Sequence, residues 1–199
     1  LATQVIDLPA EEKEATLAAI ITSPENAKAI AREAVKAHVA HNSGNNEWYT
    51  PEPYIEAARA AMGSIDVDPA SSAIANERVK AAKYYTVDDN GLTRTWAGNV
   101  WMNPPYAQPL IADFANVLVE KWHSGEVHQA CVLVNNATET GWFRQMAEAS
   151  SATCFTKGRV RFIDPEGNPS GAPLQGQAIL YFGGEADRFA SEFCRFGYV

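Results

Sequence analysis

The stretch Asn99-Val100-Trp101-Met102-Asn103-Pro104-Pro105-Tyr106 decides how this chain is read. Its first four residues form a strand-like run that ends in an Asn, two prolines and an aromatic ring. Each proline fixes its own φ at about −65°, and Pro105 pushes Pro104 into an extended conformation. Neither carries a backbone N–H. The turn therefore presents a side-chain amide, a backbone carbonyl and a ring around a small pocket. That set suits a flat, amine-bearing group such as a nucleobase. A plain strand-to-helix turn favours the same residue types, so the neighbouring segments have to decide between the two readings.

Working outward, strand and helix patterns alternate from residue 47 onward. The spacing predicts a helix over 51–62, a short strand at 65–67 and a helical or irregular stretch at 73–83. The strand at 99–102 leads into a helix at about 107–122, with Leu110, Ile111, Phe114, Val117, Leu118 and Trp122 on one face. A strand at 130–134 and a helix at 140–149 follow, then strands at 153–155, 160–163 and 178–182, with a Pro- and Gly-rich turn at 164–169. Alternation of this kind implies an α/β fold with a largely parallel sheet and ligands at the carboxyl ends of its strands. Asn103 sits at such an end. Upstream, residues 10–41 read as two helices. The second is opened by Ser23 and Pro24 and carries Ala27, Ile30, Ala31, Ala34, Val35 and Val39 at helical spacing. The polar run Ser43-Gly44-Asn45-Asn46 marks a boundary between a helical appendage, 1–44, and a domain, 45–199.

Composition narrows the function. The first twenty residues carry Asp7, Glu11, Glu12, Lys13 and Glu14, and no apolar run approaches the length of a membrane span. The chain begins at Leu1, as a processed product or a segment of a longer polypeptide would. Cys131, Cys154 and Cys194 form no Cys-x-x-Cys, and Cys131 lies inside an apolar run as a buried thiol. Neither a disulfide framework nor a zinc cluster is expected, and a reducing, cytoplasmic compartment fits best. His38, His41, His123 and His128 have no metal-ligand spacing. A net charge of −8 excludes binding nucleic acid through a broad basic face. Residues 151–199, however, carry as many bases as acids and cluster Lys157, Arg159 and Arg161. On a strand the two arginines would face one way, with Val160 and Phe162 the other. A polyanion would be met there.

Three segments ahead of the Asn-Pro-Pro-Tyr turn fit a cofactor site. In Tyr49-Thr50-Pro51, Thr50 is placed to cap a helix opened by Pro51, and a helix N-terminus receives carboxylates. In Ile65-Asp66-Val67-Asp68-Pro69-Ala70-Ser71, acids at a strand's carboxyl end precede small residues that let a ligand approach. Asp88-Asp89-Asn90-Gly91-Leu92 is a turn whose acids could hold an amine or a ribose. There is no Gly-x-Gly-x-x-Gly, and a dinucleotide site is unsupported.

In order and spacing these segments resemble the phage-type DNA adenine methyltransferases, over about residues 47–182. The resemblance implies a Rossmann-like class I methyltransferase sheet, S-adenosylmethionine as cofactor, and DNA as partner in a phage or bacterial host cytoplasm. It carries the cofactor-binding role to Tyr49, Thr50, Pro51, Asp66, Asp68, Pro69, Ala70, Asp89 and Leu92. The catalytic role falls on Asn103, Pro104, Pro105 and Tyr106. Lys157, Arg159, Arg161 and Phe162, in or beside Gly158-Arg159-Val160-Arg161-Phe162, belong to the DNA side. The Asn103 side-chain oxygen and the Pro104 carbonyl would hold the amine hydrogens, and the Tyr106 ring would stack on the flipped base. Only the ring is needed for stacking, so Tyr106→Phe is expected to be mild. No metal is required.

Two departures stand out. The usual second strand, ending in a ribose-binding acid, is not recognisable between Ser71 and Tyr85, leaving Asp66 and Asp68 as alternatives for that role. No separate target-recognition domain is visible, and the helical appendage is a candidate contact with a larger polypeptide or a second copy. Protein glutamine and RNA guanine methyltransferases share Asn-Pro-Pro-Tyr and stay open as alternatives, as does a catalytically silent binding module.

Overall fold

The central strands of this chain are apolar on both faces, and helices cover the sheet there on both. A computed structural model describes residues 10–22, 26–27, 30, 49–164, 167–169 and 175–199. The chain divides into two units, Leu1–Glu47 and Trp48–Val199. In the first, α1 spans Ala10–Thr22. The second helix expected over 23–41 lies outside the described residues, apart from Asn26, Ala27 and Ile30.

The second unit holds α2 (Glu52–Met62), β1 (Val67–Asp68), α3 (Ala73–Val79), β2 (Lys83–Tyr84), β3 (Gly98–Met102) and α4 (Leu110–His123). These are followed by β4 (Val127–Asn135), α5 (Gly141–Ala149), β5 (Ala152–Thr156), β6 (Gln177–Phe182), α6 (Ala186–Phe193) and β7 (Gly197–Tyr198). The strands form one sheet in the order β2-β1-β3-β4-β6-β5-β7. The pairs from β2 to β4 are parallel, and β6, β5 and β7 add antiparallel pairs. Successive side chains alternate between faces. Val100, Met102, Ala130, Val132, Val134, Leu180 and Phe182 join a core with α4 and α5. Trp101, Cys131, Leu133, Cys154, Ile179 and Tyr181 join a second core with α2 and α6. Phe189 and Phe193, one turn apart on α6, stack on each other, and Phe189 also stacks on Tyr181.

From β1 the chain winds outward through α3 to β2, then returns to lay β3 on the other side of β1 and β4 beyond it. The winding direction thus reverses between β1 and β3, and ligands of open α/β sheets bind outside the carboxyl ends at such a point. Asp68 ends β1 and Asn103 follows β3.

The structure corrects the sequence reading at several places. A second strand does exist: β2, two exposed residues that show no apolar alternation, and no acid ends it. Residues 160–163 are not a strand; only Ile163 pairs, in isolated bridges to Tyr49 and Pro169. Pro51 occupies the cap position of α2, with no side-chain cap hydrogen bond, and Thr50 is buried. The α6 helix and β7 were not anticipated.

Asp66, one of the two acids considered for the cofactor, is used by the fold. Its Oδ1 accepts from Ser64 Oγ at 2.9 Å and its Oδ2 from the Asn99 backbone N–H at 2.8 Å. It stands just ahead of β1, at the end of the strand away from Asp68. Gly98, at φ 104°, lets it in, since a Cβ there would lie 2.4 Å from Asp66 Oδ2. Removing the carboxylate strands the Asn99 donor. Asp66→Ala is expected to lower the unfolding free energy by about 1–3 kcal/mol. A fall in the denaturant midpoint with an unchanged slope would show it.

Candidate functional site at the carboxyl edge of the sheet

After Met102 the chain leaves the sheet through half-buried Asn103 and buried Pro104. The Tyr106 hydroxyl turns back and donates to Asn103 Oδ1 at 2.8 Å, with a longer 3.4 Å approach to the Leu133 carbonyl. Burial pushes the Tyr106 phenol up, so it stays protonated and a donor. This differs from the sequence expectation, in which only the ring of Tyr106 mattered: its hydroxyl orients the Asn103 amide. An amide oxygen has two lone pairs and can accept more than one hydrogen bond.

Phe162 meets the Tyr106 ring edge-on, with centroids 6.3 Å apart and planes at 71°. Although 160–163 is not a strand, its alternation holds: Val160 and Phe162 are buried while Arg159 and Arg161 are exposed, as is Lys157. Phe162, grouped by sequence with the residues on the DNA side, packs against the Tyr106 ring. The segment is tied at two points. The Val160 N–H donates to Gln177 Oε1 at 2.8 Å. Tyr49 and Ile163 exchange a reciprocal pair of backbone hydrogen bonds at 2.9 and 2.8 Å. The Tyr49-Thr50-Pro51 segment is thereby joined directly to the one that carries Phe162.

On the neighbouring strand, Asp68 is buried, and its Oδ1 accepts from the Ala70 N–H at 3.2 Å. Burial pushes its carboxyl up to about 7, against the lowering effect of hydrogen bonds from Ala70 and Ser71. Pro69 is pressed on Gly91: a Cβ at Gly91 would sit 1.9 Å from the Pro69 carbonyl oxygen. The buried Trp96 indole donates to the Gly91 carbonyl at 2.8 Å and holds it there. Two segments well separated in sequence, 68–70 and 89–92, are so brought together. Leu92 is half-buried against the core. Asp89 Oδ2 accepts from both the Thr86 N–H and its hydroxyl at 2.9 Å. These bonds hold its carboxyl below the usual range.

The structure gathers Asp68, Pro69, Ala70 and Leu92 around one backbone contact, and Asn103, Tyr106, Phe162 and Tyr49 around the other strand end. Asp66 stands apart. Gln177, Gly91 and Trp96 were missed as organisers. The one visible signal was Gln177 itself, a polar residue opening a run of five apolar ones. Among the described residues no group of His, Cys, Asp and Glu could hold a metal ion, and no helix is long and apolar enough to cross a membrane.

A doubly wound sheet whose first four strands are parallel, with Asn-Pro-Pro-Tyr at its switch point, has a Rossmann-like methyltransferase fold. Residues 37–184 match the family described as DNA N-6-adenine-methyltransferase (Dam), and the chain belongs to that family. It is also similar to the DNA N-6-adenine-methyltransferase of Haemophilus phage HP1 (strain HP1c1), at 32% identity over 89 residues. That stretch covers 44% of this chain and 50% of the relative, so the chain spans about half the length of the protein it matches.

Asp68 generates a pH dependence whose sign follows from its burial. Its folded value of about 7 exceeds the ordinary 3.8, so the native state holds this proton more tightly than the unfolded one. The stabilisation is complete below about pH 4, is lost as pH rises to about 7, and stays flat above. Asp68→Asn is expected to remove that slope. Melting temperatures of parent and variant across the same interval are the check.

Proposed function

We propose that the protein transfers a methyl group from S-adenosylmethionine to the exocyclic amine of adenine in DNA. The observation that carries the reading is Asn103, oriented by Tyr106, just past the end of β3, on the strand neighbouring the one that ends in the buried acid Asp68. Family membership supports it, as does the name of the Haemophilus phage relative, which specifies N-6 of adenine in DNA.

The residues on the cofactor side fit S-adenosylmethionine. Asp68 is a buried carboxylic acid that no described cation pairs with, and it suits the ammonium of the cofactor's methionine part. The α2 N-terminus beside Thr50 and Pro51 has no side-chain cap and suits the carboxylate. The tight Gly91–Pro69 approach is a contact of backbone on backbone, and beside it Leu92 offers an apolar surface to the adenosine. Asp89, with one oxygen closing its own turn, has the other for a ribose or an amine. When bound, the cofactor supplies an electrophilic methyl group on a sulfonium sulfur.

The rest is the work of the chain. The target amine is a poor nucleophile because its lone pair is delocalised into the ring. Asn103 Oδ1 and the Pro104 carbonyl accept its two hydrogens and stabilise the positive charge that grows on nitrogen in the transition state. Tyr106 holds Asn103 Oδ1 in place through its hydroxyl and offers its ring to the base. The base has to leave the duplex to reach this turn. Exposed Lys157, Arg159 and Arg161 lie on the outer side of the segment whose inner side carries Phe162, and they would take the phosphates.

Tritium transfer from labelled S-adenosylmethionine to DNA, RNA and protein extracts tests the reading. Label in DNA, recovered as methylated adenine, is expected; label only in RNA or protein overturns the substrate. Asn103→Ala is expected to lower kcat by about 100-fold or more while calorimetric affinity for the cofactor stays near parental. Tyr106→Phe should cost about ten-fold in kcat, because the Asn103 amide loses its orienting donor.

Replacing Arg159 and Arg161 together with Ala should weaken binding to all DNA sequences alike. The salt slope should become shallower by about one unit per lost phosphate contact, with cofactor affinity unchanged. An unaltered slope would move the DNA surface elsewhere.

A further inference from the structure

Gln177 is one of four buried polar or charged residues among those described, with Thr16, Thr50 and Asp68. Its amide is used at both ends. Oε1 accepts from the Val160 N–H at 2.8 Å, while Nε2 donates to the Gln175 carbonyl at 2.7 Å and to Asn135 Oδ1 at 3.4 Å. Gln177 is paired with Asn135 in the ladder between β6 and β4, at the carboxyl end of β4, whose other neighbour is β3, the strand that Asn103 follows. The five residues after it, Ala178 to Phe182, are all buried apolar side chains. An amide in that row loses its hydration, and only its own hydrogen bonds offset the loss.

What those bonds hold is a piece of backbone outside the sheet. Val160 pairs with no strand, and no described backbone carbonyl accepts its N–H. Two residues on, Phe162 sets its edge against Tyr106, whose hydroxyl orients Asn103. The chain of contacts runs from Gln177 through Val160 and Phe162 to Tyr106 and the acceptor for the target amine. The ladder around β6 is built by backbone bonds and does not need the Gln177 side chain.

We infer that Gln177 is a positioning residue for methyl transfer, clamping Val160 so that Phe162 keeps Tyr106 and Asn103 aligned. The inference rests on the proposed role of Asn103 and Tyr106. The clamp needs an acceptor and a donor on one planar group. Methionine offers neither, and an ionised glutamate offers only acceptors.

The experiment compares the full chain with Gln177→Met and Gln177→Glu by hydrogen exchange, cofactor calorimetry and steady-state methylation of DNA. In Gln177→Met the Val160 amide should exchange about ten-fold faster or more, without comparable change across β4 and β6. Cofactor affinity should stay within about two-fold, since the Tyr49–Ile163 pair is untouched, while kcat on DNA falls about ten-fold. In Gln177→Glu, activity relative to the parent should recover as pH is lowered, because protonation restores a donor beside an acceptor. That recovery is read where both proteins are fully folded, and loss of packing alone would not give it. Unchanged Val160 exchange in Gln177→Met overturns the inference, as does faster exchange with parental kcat and KM for DNA. If Gln177→Met does not fold, a Gln177→Glu variant whose activity tracks the parent at every pH overturns it equally. A parent that binds cofactor but methylates no DNA would overturn the substrate proposal instead, and the exchange measurement, made without DNA, tells the two failures apart.

Discussion

Everything at the carboxyl edge depends on β1 staying beside β3. That pairing is short: β1 has two residues, and its register with β3 is set at Val67 and Val100. The Asp66 carboxylate extends it, accepting from the Asn99 N–H while the Asp66 N–H donates to the Asn99 carbonyl at 2.8 Å. Gly98 admits the carboxylate only because it has no side chain. One acid at the amino end thus keeps two strands in register so that another acid, Asp68, and an amide, Asn103, emerge side by side at the far end. The two aspartates flank a single valine and do different work because the strand carries them to opposite ends.

The same economy appears in how distant segments are joined. Gly91 lets the 89–92 turn lie on Pro69, with Trp96 behind it; Tyr49 and Ile163, far apart in sequence, share a pair of backbone bonds. Each half of the site is locked by main-chain geometry, and Asp68, Asn103 and Tyr106 are the side chains to which the proposed chemistry falls. The acidic charge of the molecule is compatible with a polyanionic partner because Arg159 and Arg161 are turned outward by the burial of Val160 and Phe162 between and beside them.

Much of this was legible in the residues. The runs that became β3 and β4 are long, apolar and bounded by turn chemistry, and the positions now buried on α4 include Ile111, Phe114 and Leu118 from the expected face. Asn103 at a strand end and the grouping of Asp68 with Pro69 and Ala70 also follow from local pattern. What was not legible depends on partners remote in sequence. Residues 160–163 alternate like a strand, yet the group that receives Val160 is a side-chain amide seventeen residues on. Thr50 ahead of Pro51 has the look of a cap, but the helix starts one residue later, with Pro51 itself in the cap position and no side-chain cap bond. Two exposed residues cannot announce β2. The hydroxyl of Tyr106 could not be separated from its ring until its distance to Asn103 was known.

The sheet finishes on each side in a strand of two residues, Lys83–Tyr84 at one margin and Gly197–Tyr198 at the other. An open margin of a β-sheet is a template on which another chain can add a strand, and its strength as a template grows with the length of the unpaired backbone. Two residues offer only a few such groups, and at one margin Lys83 adds a charge that a neighbouring strand would have to accommodate. Among the described residues, the lateral margins of this seven-stranded sheet give a further strand little to build on.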